Sequence, residues 1–196
     1  MSLALFDFDG TITTRDSLIQ FIKFAVGKPK FYMGLFSLCG MLAKYKLGII
    51  PNDQAKESLI SYFFKGWDYA LFQKVCDAYS LNEIDRITRT EALDKITWHK
   101  SKGHRVVVVS ASMENWLAQW CASHDLELIG TQLEVIAGKL TGKFATKNCY
   151  GAEKLNRVRA ALQLDDYRPI YAYGDSAGDK DMLAIADKKF FCCFSD

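Results

Sequence analysis

The 196-residue chain carries 25 Lys and Arg against 23 Asp and Glu, a formal charge of +2, with 49% hydrophobic and 24% charged residues. That length holds one domain with an insertion, and the balance of apolar and charged residues excludes a disordered chain. A charge so near zero, without a Lys/Arg block, points away from nucleic acid as a partner.

The first element is "LALFDFDGTIT", residues 3–13, in which a short apolar run reaches two carboxylates and then a glycine. It reads as a buried strand entering a turn. Asp7 and Asp9 lie two apart and so share a face, where burial without a cation would cost several kcal/mol each. Residues 16–82 then read as four helices: "SLIQFIKFAVG", "KFYMGLFSLCGMLAKYKLG", "NDQAKESLISYFFKG" and "WDYALFQKVCDAYS". From residue 83 the pattern alternates between helix and strand, which implies a mostly parallel sheet covered on both faces. The helix "EIDRITRTEALDKITWHKSKG" leads into the strand "RVVVVSAS"; the helix "MENWLAQWCASH" follows, then a hairpin "QLEVIAGKLTGKF" turning at Ala137 and Gly138. An amphipathic helix "AEKLNRVRAALQL", a strand "PIYAYGD", a short helix and a last strand "KKFFCCF" complete the chain.

The expected architecture is an α/β, Rossmann-like, doubly wound sheet with an inserted all-helical cap: core residues 1–15 and 83–196, cap residues 16–82. Cys192 and Cys193 read as buried strand, Trp116 and Trp120 as core, and His99, His104 and His124 as surface residues. The six cysteines show no CxxC spacing and nothing ahead of the first strand reads as a leader, so reduced thiols and a cytoplasmic location are expected. The longest apolar candidate, residues 31–43, stops at Lys44 and Lys46, too short to span a bilayer.

Three strands end in chemically capable residues: Asp7 and Asp9, Ser110, and Asp175 with Asp179 four residues on. In open α/β sheets ligands bind outside the carboxyl ends of strands, so these groups should share one crevice. Several carboxylates there suit a hard divalent cation such as Mg²⁺ beside a phosphate. Gly10 and Thr11 form a turn whose N–H groups can face an anion, Ser110 adds a hydroxyl with Ala111 beside it, and Lys154 can balance phosphate charge. Ser110 suits the cap of the following helix, but Ser112 suits it equally, which frees Ser110 for the ligand.

At these residues the chain resembles the haloacid dehalogenase superfamily of phosphatases. "DFDGTIT" matches its first motif, Ser110 the second, Lys154 the third and "GDSAGDKDML" the fourth, and an all-helical insertion after the first motif looks like subfamily IB, similar to phosphoserine phosphatase. The resemblance implies Asp7 as a nucleophile forming an aspartyl-phosphate and Asp9 as general acid and base. It further implies Mg²⁺ held by the Asp7 and Asp175 side chains, the Asp9 backbone carbonyl and Asp179, directly or through water. Ser110 and Lys154 would hold the phosphoryl oxygens.

Substrate choice should lie in the cap. Asp16 stands where phosphoserine phosphatases carry an amine-binding Glu, and it also suits a helix start. No arginine occurs between Arg15 and Arg86, so the cap offers Lys56 but no bidentate fork for a substrate carboxylate, against phosphoserine itself. From Ser17 to Asn52 there are five lysines (23, 28, 30, 44, 46) and no acid, among dense apolar residues. Such helices can lie in a membrane interface through residues 17–50, or pack in the cap or on a twin subunit as a homodimer. A lipid phosphate, as in the similar phosphatidylglycerophosphatase C branch, then stands beside small phosphorylated metabolites as substrate. The rivals without turnover are a phospho-acceptor signalling domain and a phosphate-binding protein.

Overall fold

Leu3–Phe6 forms β1, and all four of its residues are buried. The computed structural model of the chain describes residues 1–194. After β1 come five helices, α1 (Ser17–Val26), α2 (Lys28–Ser37), α3 (Cys39–Lys46), α4 (Asn52–Phe64) and α5 (Tyr69–Asn82). A 3₁₀ turn at Ile84–Ile87 precedes α6 (Thr90–Ser101), followed by β2 (Arg105–Met113), α7 (Glu114–Ser123) and β3 (Glu127–Thr131). Next are β4 (Leu133–Ile136), β5 (Lys139–Phe144), α8 (Ala152–Ala161), β6 (Ile170–Gly174), α9 (Lys180–Ala184) and β7 (Lys188–Phe191).

The main sheet has the order β3-β2-β1-β6-β7, with every pairing parallel. The chain winds outward from β1 through β2 to β3, then returns past β1 to β6 and β7. The strand order therefore reverses at β1, where a doubly wound sheet opens its ligand crevice. Side chains alternate along β1: Leu3 and Leu5 join Val158 and Met182 on one face, while Ala4 and Phe6 join Trp116, Trp120 and the cap aromatics on the other. Both faces are thus covered, as parallel sheets require.

Aromatic rings tie the inserted helices to the sheet layer. Phe21 of α1 stacks on Trp116 of α7 at 4.6 Å and meets Tyr79 of α5 at 5.4 Å, and Phe8 meets Trp120 edge-on at 5.3 Å. Pairs of this kind contribute about 0.5–1.5 kcal/mol each beyond their buried area. The β4–β5 hairpin leaves the main sheet and packs on α4: Gly66 and Tyr69 donate backbone bonds to Leu140 and Gly138, and Leu140 donates to Trp67. Its turn has positive φ at Ala137 and Gly138, as the hairpin pattern predicts.

Four readings need correction. The stretch 30–48 is two helices, not one: Ser37 Oγ donates back to the Met33 carbonyl at 3.0 Å, and the chain bends at Leu38, a known effect of back-bonding serine. The stretch 83–103 begins as a 3₁₀ turn, and its α-helix starts only at Thr90. His99 is fully buried among Phe6, Tyr171 and Tyr173, because the inner face of α6 lies on β1 and β6. Cys192 and Cys193 are exposed, since β7 is an edge strand that ends at Phe191. Cys39, Cys76, Cys121, Cys149 and Cys193 are free thiols, and among the described residues no helix is long and apolar enough to cross a membrane.

Candidate active site

The backbone leaves β1 at Asp7, whose N–H donates to the Tyr173 carbonyl of β6, and turns at Gly10. Gly10 has φ +90°, and a Cβ there would collide with the Asp175 carboxylate. Gly174 is required for a similar reason, because a Cβ would press on the Asp179 side chain. These two glycines let the ends of β1 and β6 close on each other and bring their carboxylates together.

Asp7, Asp175 and Asp179 each present an oxygen within 4.8 Å of the others. Lys154, at the first turn of α8, is buried between two of them, bonded to Asp7 Oδ1 and to Asp179 Oδ1 at 2.6 Å. Thr11 Oγ1 lies 3.3 Å from Asp7 Oδ2 and 3.0 Å from Asp175 Oδ1, so its single proton is shared between two acids. Asp179 Oδ2 accepts the N–H groups of Asp175 (3.2 Å) and Ser176 (2.9 Å) and the Ser176 hydroxyl (2.9 Å). Those bonds and Lys154 hold the Asp179 carboxyl below its usual range despite burial. Asp7 goes the other way: burial, which outweighs Lys154, and the nearby Asp179 and Asp9 push its carboxyl up to about 7.

Asp9 stands apart from this cluster and faces the cap. Its Oδ1 accepts the Ser17 N–H at 2.7 Å, and its Oδ2 accepts the Ser112 hydroxyl at 2.5 Å and the Ser17 hydroxyl at 3.2 Å. Ser112 Oγ lies 2.9 Å from the same Ser17 hydroxyl, whose single proton is shared between Asp9 and Ser112. Burial first, then the charge of Asp16, pushes the Asp9 carboxyl up to about 6, against the pull of Ser112 and Lys56. A carboxylic acid titrating there can hold or release a proton near neutral pH.

Neither Ser110 nor Ser112 caps a helix; α7 starts after Met113 without a side-chain cap. Between Val109 and Met113 the strand β2 runs four residues against two of β3, an irregularity that re-aims Ser110, Ala111 and Ser112. Ser110 is buried, and its Oγ accepts the Ser112 N–H at 3.0 Å. Lys56 of α4 reaches the Ala111 carbonyl at 3.2 Å; burial lowers its pKa, while Asp9, Asp16 and Asp7 oppose that shift. Asp16 is exposed and caps α1 by accepting the Ile19 N–H at 3.0 Å.

Sequence reasoning missed the roles of Ser17 and Ser112 around Asp9. Ser112 carried a signal, since it lies two residues past Ser110 on the same strand; Ser17 carried none, because its contact is made across the cap boundary.

Asp7 and Asp179 are buried and Asp175 is half-buried; when all three are ionised they exceed the one ammonium, Lys154, by two charges, and every donor is an oxygen. That set fits a hard divalent cation.

The fold is thus an α/β one with a cluster of carboxylates gathered at the ends of its central strands. The chain belongs to the haloacid dehalogenase-like hydrolases, whose family model matches residues 4–184. Protein CicA of Caulobacter vibrioides is 32% identical over 194 residues, covering 98% of this chain and 86% of that protein. The probable phosphatase Rv3661 of Mycobacterium tuberculosis is 30% identical over 191 residues, 92% of this chain but only 64% of that longer protein. Among solved structures, a protein of unknown function from Bordetella pertussis Tohama I is similar with a TM-score of 0.81 at 22% identity, covering 96% of this chain and 88% of that one. A substrate-bound phosphoserine phosphatase complex is similar with a TM-score of 0.69 at 21% identity, covering 97% and 85%. At such identities these two likenesses are of fold.

Proposed function

We propose that the protein is a Mg²⁺-dependent phosphomonoesterase working through an aspartyl-phosphate at Asp7. The observation that carries this reading is the meeting of Asp7, Lys154, Asp175 and Asp179 at the switch point, with Asp9 held separately on the cap side. The name of the mycobacterial relative, a probable phosphatase, supports the same class.

Asp7 and Asp175 would hold the metal by side chain, with Asp179, whose oxygens are already engaged, supporting them. When bound, the metal supplies positive charge that keeps Asp7 ionised and offsets the phosphoryl oxygens. An Asp7 oxygen attacks phosphorus as the ester P–O bond breaks, and Asp9 passes its proton to the departing alkoxide. Asp9 then takes a proton from the water that attacks phosphorus, which frees inorganic phosphate and restores the Asp7 carboxylate. Lys154 and Ser110 bind phosphoryl oxygens throughout.

Residues 1–15 and 83–196 act as the catalytic core and 16–82 as the cap, with the β4–β5 hairpin of the core serving as a brace under α4. Lys56, the cap cation that reaches the site, meets negative charge on the substrate. A single ammonium favours small phosphorylated metabolites or a lipid phosphate over phosphoserine, whose carboxylate asks for a guanidinium fork.

The test is hydrolysis of p-nitrophenyl phosphate with Mg²⁺ and with a chelator, followed by borohydride trapping of the intermediate. Reduction of an acyl-phosphate at residue 7, seen by mass spectrometry, is the expected result. Turnover that survives Asp7→Asn would overturn the reading.

A further inference from the structure

The outward face of α2 is apolar where a surface helix is normally polar. Pro29, Tyr32, Met33 and Phe36 fall at i, i+3, i+4 and i+7, one stripe of a helix, and all are exposed. The opposite face is already satisfied: Phe31 stacks on Phe63 of α4 at 6.3 Å, and Gly34 sits so tightly on the Phe63 ring that no Cβ fits. The stripe therefore points away from the protein's own core. Beyond it, α3 has no buried residue, and Leu47 and Ile49 extend the apolar surface. The large residues of the patch, Tyr32, Met33, Phe36, Leu47 and Ile49, are 61–81% exposed.

Four exposed lysines, Lys28, Lys30, Lys44 and Lys46, border these side chains, and among the described residues none of them forms an ion pair. Residues 17–52 contain no acid, although the chain as a whole has 23. A two-fold contact between copies would set one lysine group against its twin with no carboxylate in either segment to answer it. An anionic bilayer answers both features at once, accepting the apolar stripe among its acyl chains and the ammonium groups at its headgroups. We propose that the α2–α3 segment docks the protein on an anionic lipid surface, lying in the interface without crossing it. This inference stands apart from the phosphatase reading, because it uses none of the site residues.

The experiment is co-sedimentation with vesicles of mixed phosphatidylglycerol and phosphatidylcholine, compared with phosphatidylcholine alone. The protein should sediment with the anionic vesicles only. Each lysine near such a surface contributes about a fivefold gain in partitioning, so Lys44→Gln with Lys46→Gln should weaken binding about 25-fold. Met33→Glu with Phe36→Glu should weaken it about tenfold or more. Circular dichroism and p-nitrophenyl phosphate hydrolysis serve as controls that the variants fold. Absence of binding, equal binding to neutral vesicles, or binding unchanged in both variants would overturn the proposal; so would a homodimer in light scattering that the Met33/Phe36 variant splits. If hydrolysis fails in every form while the vesicle pattern holds, the phosphatase reading falls and the docking surface stands.

Discussion

Burial makes the Asp7 anion costly to the folded protein. Its carboxyl, pushed up to about 7, is destabilised as an anion by burial, and the folded protein bears that cost as pH rises from about 4 toward 7. Asp7→Asn removes the charge and should abolish turnover, by about a thousandfold or more, while the melting temperature of the metal-free protein stays equal or rises. Activity assays and calorimetry on the same preparation check both halves. Asp9 depends on a donor contributed from residue 112. Ser112→Ala should lower kcat about tenfold for an alkyl phosphate, whose leaving group needs a proton, and much less for p-nitrophenyl phosphate, whose leaving group does not. An equal loss on both substrates would mean that Ser112 serves folding rather than Asp9. At this scale the residues flanking strand ends were legible in the sequence: Asp7, Asp9, Asp175 and Asp179 are placed by local alternation and by glycines. The Ser17–Ser112–Asp9 contact was not, because it joins residues 8 and 95–103 positions apart.

Among the elements, the β4–β5 hairpin shows how far a local pattern reaches. Its turn was readable from Ala137 and Gly138, but its place against α4 was not, since nothing in an alternating strand says which helix it will brace. Gly142 marks that contact, with φ +85° and no room for a Cβ against the Ser61 backbone. Gly142→Ala should destabilise the protein by about 1–3 kcal/mol, read as a lower midpoint in urea, through both the strained φ and the displaced helix. A midpoint unchanged from wild type would show that the hairpin is free to slide. The break at Leu38 is of the same kind: the apolar pattern of 30–48 runs on unbroken, and a serine hydroxyl bonded to the preceding turn decides where the helix stops.

Across the whole molecule, two linked equilibria can be measured. His99 is buried against Phe6, Tyr171 and Tyr173, bonded to His104 at 2.8 Å and to the Tyr173 hydroxyl at 2.9 Å, and burial with the charges of His104 and Lys95 lowers its pKa to about 4. The unfolded chain takes up this proton near pH 6.5, before the folded one does. Its contribution, about 3 kcal/mol, is therefore complete above pH 6.5 and is lost as pH falls toward 4. Melting temperature followed over that range should slope less in His99→Gln than in wild type. On the proposed reading, added Mg²⁺ should raise the melting temperature of the wild type and do so much less in Asp175→Asn, because only a folded cluster would bind it. Equal shifts in both would remove Asp175 from the metal site. What the sequence by itself determined is the class of enzyme, since strand ends, turns and the acids attached to them follow from neighbours in the chain. Tertiary structure alone decided what surrounds those acids: the serines that hold Asp9, the lysine that crosses from α4, the histidine drawn into the core, and the apolar face of α2 left outside. Burial and charge pairing are properties of packed space, and residues far apart in the chain become neighbours there only once the elements have met.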